Sequence, residues 1–234
     1  MKWIRRLFIW FLLLTVLPVL ALRWVEPPTS AFMLQRQWDA WRQDQKNFKL
    51  EYDWIDWENI SRHVPLAVVA AEDQKFPQHW GFDRKQISKA LEERKSGKRN
   101  RGASTISQQV SKNLFLWPGK NFIRKGIEAY FTVLIELLWS KKRILEVYLN
   151  VAQFGDSIFG VGAASRRYFR KPAKRLSKKE SALLATALPN PKRLRLDRPS
   201  SYMRQRMNRV IDEMDRLDRI KPRPYLWQLA SNPE

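Results

Sequence analysis

The pattern of apolar and polar positions divides the chain near its thirtieth residue. Lys2, Arg5 and Arg6 precede an uncharged run over 7–22 (LFIWFLLLTVLPVLAL) that has no polar face. As a helix this run spans about 24 Å. Extending it to Val25, with Arg23 snorkelling and Trp3 and Trp24 at the two interfaces, brings it to about 28 Å, near the thickness of a bilayer's hydrocarbon core. The pattern predicts one membrane-spanning helix. The preceding positive charges predict a cytoplasmic N-terminus, with everything after residue 25 outside the cytoplasm. Pro18 is tolerated inside such a helix. A cleaved signal peptide stays open as an alternative, because Val19-Leu20-Ala21 reads as a cleavage site.

Glu26-Pro27-Pro28 ends the apolar helix and marks the one domain boundary. Residues 29–59 read as a juxtamembrane helix and connector. Beyond them, apolar positions recur at 3–4 spacing over 64–71, 122–139, 144–151, 181–188 and 203–217, each predicting a helix. Alternating β-branched runs are few, so the fold class is mainly α. The stretch 84–101 holds eight basic and two acidic residues and reads as a mobile loop.

Composition narrows the chemistry. The chain carries 44 Lys and Arg against 23 Asp and Glu, a formal charge of +21 over 234 residues. That imbalance points to a polyanionic partner. Export argues against nucleic acid and leaves an anionic lipid surface or a lipid-linked phosphate. Residues 166–179 alone hold eight Lys and Arg and no acid, a run suited to anionic headgroups. Cysteine is absent, which excludes thiol nucleophiles, zinc–cysteine sites, iron–sulfur clusters and disulfides. Two histidines leave little for a histidine-ligated metal. Of eleven tryptophans, seven fall at or before position 57, and Trp concentrates at membrane–water interfaces.

Three segments carry candidate chemistry. Glu72 and Asp73 end the apolar stretch 64–71, and a poorly solvated carboxylate there has a raised pKa suited to proton transfer. A helix-terminal acid paired with a nearby cation is the alternative, and His79 alone reads as a structural hydrogen-bonder. Ser104 or Thr105 caps a helix that opens on Gln108 and Gln109. Free N–H groups at such a start attract phosphate, with Lys112 adding charge. Arg124 and Glu128 stand at i,i+4 and can pair, which on spacing alone reads as a surface salt bridge, with Lys125 and Glu136 on flanking faces.

In order, Glu72-Asp73-x-x-Phe76-x-x-His79-x-Gly81-Phe82-Asp83, Gly102-Ala-Ser-Thr-Ile-x-Gln108-Gln109, Arg124-Lys125-x-x-Glu128 and Lys141-x-x-Ile144-Leu145-x-x-Tyr148-Leu149-Asn150 resemble the motifs of the peptidoglycan glycosyltransferases. These form family 51 of the glycosyltransferases, which also supplies the N-terminal domains of bifunctional penicillin-binding proteins. Phe154-Gly155-Asp156, residues 160–164 and Tyr168-Phe169 extend the likeness over about 60–195. No Ser-x-x-Lys of a transpeptidase occurs, and the chain ends soon after the resemblance, which implies a monofunctional member.

The resemblance implies a mainly α, lysozyme-like domain over 60–234. Before it lie a basic tip and transmembrane anchor over 1–28, and a connector and jaw helix over 29–59. It implies polymerisation of lipid II at a bacterial inner membrane, with the catalytic domain periplasmic. Glu72 corresponds to the general base acting on the acceptor's 4-hydroxyl. Glu128 acts on the pyrophosphate side, directly or through a divalent cation (Mg2+ or Mn2+). Ser104, Thr105, Gln108, Gln109, Lys112, Lys120, Arg124 and Lys125 match positions lining the donor site. Asp73, Phe76, His79 and Asn150 complete the substrate-binding set. Lys120 stands where relatives often carry Arg, which loses a bidentate fork on phosphate. The implied partners are lipid II, the growing glycan chain, anionic inner-membrane lipids and division or elongation penicillin-binding proteins, with no nucleic acid. On residues alone, a lysozyme-like glycan-cleaving enzyme and a non-catalytic membrane-tethered scaffold stay open.

Overall fold

A computed structural model describes residues 2–96, 104–119 and 121–219. Ten α-helices carry the described fold: α1 (Lys2–Ala21), α2 (Ala31–Arg42), α3 (His63–Glu72), α4 (Arg84–Lys95), α5 (Ile106–Phe115), α6 (Phe122–Leu138), α7 (Lys141–Val151), α8 (Gly160–Ala164), α9 (Lys178–Ala187) and α10 (Ser201–Arg219). The strands among the described residues are two short ones, β1 (Glu51–Tyr52) and β2 (Ile158–Phe159), paired in parallel. The mainly α expectation holds, and the five periodic segments each become a helix.

The interior follows from α3, which is apolar on nearly every face, and from the apolar faces of amphipathic helices such as α7. α3 buries Val64, Pro65, Ala67, Val68, Val69 and Ala70, and packs against α9 and α10. α7 buries Ile144, Leu145, Val147, Tyr148, Leu149 and Val151, and packs against α5 and α8. α5 also lies along α6. Glu72 therefore sits at the end of a helix that the hydrophobic effect fixes in the middle of the fold. Each fully buried Val or Leu contributes roughly 1.5–3 kcal/mol toward that placement.

Between α7 and α8 the chain turns back on itself at Gly160, where φ is +80° and a Cβ would stand 2.5 Å from the Asn150 carbonyl oxygen. Only glycine fits that approach. The Asn150 amide in turn accepts from Ile55 N at 2.8 Å and donates to the Ile55 carbonyl at 2.9 Å, tying the connector to α7.

Two expectations need correction. The stretch 84–101 is not a loop over its described part, because residues 84–95 form α4. The Asp83 carboxylate accepts from Gln86 N at 3.1 Å and caps it, and Lys, Glu, Arg and Ala favour helix once capped. The charge run concealed the cap. The Arg124–Glu128 pair is not on the surface, since those side chains are 8% and 2% exposed.

α1 is docked onto the fold at its C-terminal end. The Tyr130 hydroxyl of α6 lies 2.8 Å from Thr15 Oγ1, and Trp139 Nε1 donates to the Val19 carbonyl at 2.7 Å. The guanidinium of Arg143 on α7 donates to the Leu22 carbonyl at 3.1 Å and to the Val25 carbonyl at 2.7 Å. The Val19 carbonyl is among the orphans that every helix end leaves, and Leu22 and Val25 lie just past that end. The rest of α1 presents Leu7, Phe8, Trp10, Leu14 and Leu17 outward. At 20 residues it spans about 30 Å, long and apolar enough to cross a membrane.

Candidate active site

Glu72 ends α3 with its carboxylate largely buried, and two side chains from distant elements close on it. Gln109 Nε2, on α5, donates to Glu72 Oε2 at 3.0 Å, and Arg206, on α10, stands 3.6 Å from Oε1. The Gln109 amide is oriented from behind, because the Tyr148 hydroxyl donates to its Oε1 at 3.0 Å. Tyr148 is fully buried, and desolvation beside Glu72 and Asp73 drives its pKa well above the ordinary phenol range, so it stays a donor. Burial also pushes the Glu72 carboxyl upward, while Gln109, Arg206 and Lys112 pull it down and Asp73 adds to the rise. The result is a carboxylate with a raised proton affinity, one amide donor and one facing cation, the profile of a general base.

Asp73, its neighbour, does structural work. Its carboxylate accepts from Ile106 N at 2.9 Å and from His79 Nε2 at 3.0 Å, joining the end of α3 to the start of α5. Thr105 is the N-cap of α5, and Gln108 completes a capping box with it. The Thr105 hydroxyl also donates to the Gly81 carbonyl at 2.6 Å. Phe76 and Asn150 are wholly buried and meet other parts of the chain. Asp73, Phe76, Thr105, Gln108 and Asn150, expected among substrate-binding residues, are thus placed as supports of the site, and His79 is bound to Asp73.

A second group forms on the first turns of α6. Arg124 NH1 donates to Glu128 Oε2 at 2.8 Å, and Lys125 Nζ pairs with Oε1. Lys125 also reaches Ser104 Oγ at 3.3 Å. Glu128 is a buried anion holding two cations in one geometry, with the Lys125 side chain 45% exposed. Lys120 lies outside the described residues.

Lys112 stands between the two groups. Burial lowers its ammonium pKa, and it feels Glu128, Arg124 and Lys125 on one side and Glu72 on the other. Its Nζ lies 5.4 Å from the centre of the Phe32 ring and makes no ion pair among the described residues. A cleft of about 270 Å³ is lined by Gln109, Lys112, Asn113 and Tyr148 together with Phe32 and residues 188–192.

The donor set does not compose a metal site. Both Glu128 oxygens are engaged by Arg124 and Lys125, and among the described residues no three His, Cys, Asp or Glu side chains gather.

Arg206, Tyr148 as a site residue, and Asn190 and Lys192 in the cleft lining escaped the sequence reading. Asn190 lies between Pro189 and Pro191, outside every periodic segment and motif. Arg206 lay on the polar face of an ordinary amphipathic pattern.

The family model described as transglycosylase matches residues 42–215. The "Biosynthetic peptidoglycan transglycosylase" of Citrobacter koseri is 52% identical over 216 residues, covering 88% of this chain and 89% of that protein. The protein of the same description from Cronobacter sakazakii is 50% identical over 206 residues, covering 88% and 82%. That from Xylella fastidiosa is 49% identical over 218 residues, covering 92% and 90%.

Proposed function

The chain belongs to the transglycosylase family and is a peptidoglycan glycosyltransferase, and from that premise we propose that Glu72 is the base that extends glycan strands from lipid II. The observation that carries this is a desolvated Glu72, bonded to Gln109 and faced by Arg206, beside a separate, cation-rich group on α6, with Lys112 standing between the two.

The acceptor lipid II places its 4-hydroxyl against Glu72. The growing chain, linked through C1 to undecaprenyl pyrophosphate, lies toward Lys112, Arg124 and Lys125. Glu72 takes the hydroxyl proton as the oxygen attacks C1 from the face opposite the pyrophosphate, which inverts the anomeric centre. The pyrophosphate leaves with its charge opposed by cations already in place, so little reorganisation is needed as charge develops. Glu128 orients Arg124 and Lys125 and keeps two close cations from repelling one another. No step is routed through a metal.

We further propose residues 1–28 as tip and anchor, 29–59 as connector and jaw, and 60–234 as the catalytic domain. α1 crosses the bacterial inner membrane with its N-terminus in the cytoplasm and the cleft in the periplasm, beside the anionic leaflet that supplies lipid II. Penicillin-binding proteins of division or elongation are proposed to crosslink the strands. α1 supports a retained anchor, since cleavage after Ala21 would strip Trp139 of its acceptor. Glycan cleavage, open on the residues alone, has no pyrophosphate to hold and gives the α6 group no task.

Incubation of the detergent-solubilised protein with labelled lipid II tests the reading. Glycan polymers are expected from the wild type. Release of soluble muropeptides from purified sacculi, with lipid II left unconsumed, would overturn it.

A further inference from the structure

A larger space adjoins the cleft and is not used by the chemistry above. It is a cavity of about 590 Å³ between the 155–158 turn, residues 167–170 and residues 191–197. That size is ordinary for a ligand site. Pro191 and Lys192 line both spaces, so the cavity adjoins the cleft beside Gln109 and Lys112.

Its lining is cationic. Arg167, Arg170, Lys192 and Arg195 face Asp156 and Asp197. Both acids are already committed. Asp156 accepts from the buried Arg36 at 2.5 Å, which holds its carboxyl below the usual range, and Asp197 accepts two hydrogen bonds from Arg195. Three cations are left weakly matched. Lys192 lies 3.6 Å from Asp156, Arg167 lies 4.0 Å from Glu51, and Arg170 makes no ion pair among the described residues. Arg170 is also held at φ +55°, a left-handed conformation unfavourable for a residue with a Cβ. It closes the turn of π-helix formed by Ser165–Phe169, with its N–H on the Arg166 carbonyl at 3.1 Å. Such turns recur at functional sites.

We propose that this basic cavity is a subsite for the free carboxylates of the short peptide that the glycan strand carries. The proposal rests on the glycosyltransferase reading. Lipid II bears a carboxylate-bearing peptide on its disaccharide, so any strand in the cleft must place such peptides near it. A pocket with surplus Arg and Lys next to the sugar site is the chemistry that recognises them, and Arg forks match carboxylates bidentately. The cations of 166–179 then divide their tasks. Arg166 pairs with Asp53, Lys171 with Glu180 and Lys178 with Asp215, while Arg167 and Arg170 open to the cavity.

The test uses the full chain in detergent and two probes: lipid II with its native peptide, and lipid II whose peptide carboxylates are amidated. Arg170→Gln and the double variant Arg167→Gln/Arg170→Gln are compared with wild type for KM and kcat. Melting temperatures confirm folding. Wild type is expected to bind native lipid II about tenfold better by KM than the amidated form, as loss of one charge-assisted hydrogen bond does. The variants should lose that preference, with kcat on the amidated substrate unchanged. Equal KM for both probes in wild type, or a preference that survives in the double variant, overturns the subsite. So does loss of binding to anionic vesicles by the double variant with the preference intact, which would make the patch a membrane contact. Failure of wild type to polymerise either probe would instead overturn the reading on which the proposal stands.

Discussion

Arg206 approaches Glu72 to 3.6 Å from α10, the last described helix, and reaches the carboxylate from the side opposite Gln109 in bonding terms, oxygen Oε1 against Oε2. Desolvation raises the Glu72 pKa, and this guanidinium works against that rise. Arg206 Nε is buried without a hydrogen-bond partner, and Glu72 is the one acid with which Arg206 forms an ion pair among the described residues.

Replacing Arg206 with Gln removes the positive charge and raises the Glu72 pKa further. A base must be ionised to act, so the acidic limb of the kcat/KM–pH profile is expected to move to higher pH. Each unit of displacement corresponds to about 1.4 kcal/mol. Arg206→Lys keeps the charge and should restore most of the limb. A profile unmoved in Arg206→Gln would show that the arginine serves packing alone. The other groups that act on Glu72, namely Lys112, Gln109, Asp73 and the hydroxyl of Tyr148 behind Gln109, remain in both variants.

Glu72→Gln separates chemistry from folding. General-base catalysis contributes about 10²–10⁴-fold, and lipid II polymerisation is expected to fall by at least that order. Stability should move the other way. The pKa of Glu72 in the fold lies above its ordinary value. The native state therefore favours the protonated form, and that contribution is present below the ordinary pKa and lost as pH rises through the raised one. A neutral amide escapes the loss, so thermal melting of Glu72→Gln at neutral pH should equal or exceed wild type. A lower melting temperature together with lost activity would point to a structural residue.

The contrast between these two residues shows what sequence carries. Glu72 was legible because an apolar run fixes it at a buried helix end, and that run is local. Arg206 was not, because its partner lies on α3 and nothing on α10 distinguishes it from neighbouring arginines on the same polar face. Long-range pairs leave no periodic trace. The buried state of Arg124 and Glu128 was hidden for a related reason. Their i,i+4 spacing is visible, but burial comes from α5 packing along α6. α4 was missed through composition, since a run of cations reads as loop until its cap, Asp83, is seen in place.

Glu128 is expected to matter for both fold and rate. It is 2% exposed and neutralises Arg124, 8% exposed, so Glu128→Ala leaves a buried cation unpaired. Breaking such a pair costs about 3–5 kcal/mol, and urea denaturation should register it. Glu128→Gln keeps one acceptor and the volume and should fold. Its polymerisation rate is expected to drop about 10²–10³-fold, because Arg124 and Lys125 lose the anion that aims them at the leaving pyrophosphate. Because both carboxylate oxygens are engaged by side chains, treatment with EDTA should lower the rate less than Glu128→Gln does. A greater loss on chelation would show that a cation displaces Lys125 or Arg124.

Arg143→Leu should release the apolar helix α1 from the rest of the fold. The Arg143 guanidinium donates to the Leu22 carbonyl and the Val25 carbonyl, and its NH1 donates to Glu146 Oε2 at 2.7 Å. Glu146 in turn accepts from Trp57 N at 2.9 Å. One side chain thus ties the end of α1, helix α7 and the connector together. Hydrogen bonds to a charged group contribute roughly 1.5–3 kcal/mol each, and the variant also leaves Glu146 without its cation. A loss of a few kcal/mol is expected in detergent, with trypsin cutting first after Arg23 in the variant and later in wild type. Arg143→Lys keeps the charge without the fork and should fall between them. If the helix only tethers the enzyme, melting and cleavage order will match wild type. If it also orients the cleft toward its substrate, the rate on lipid II in bilayers will fall further than the rate in detergent, because only the bilayer demands a fixed orientation.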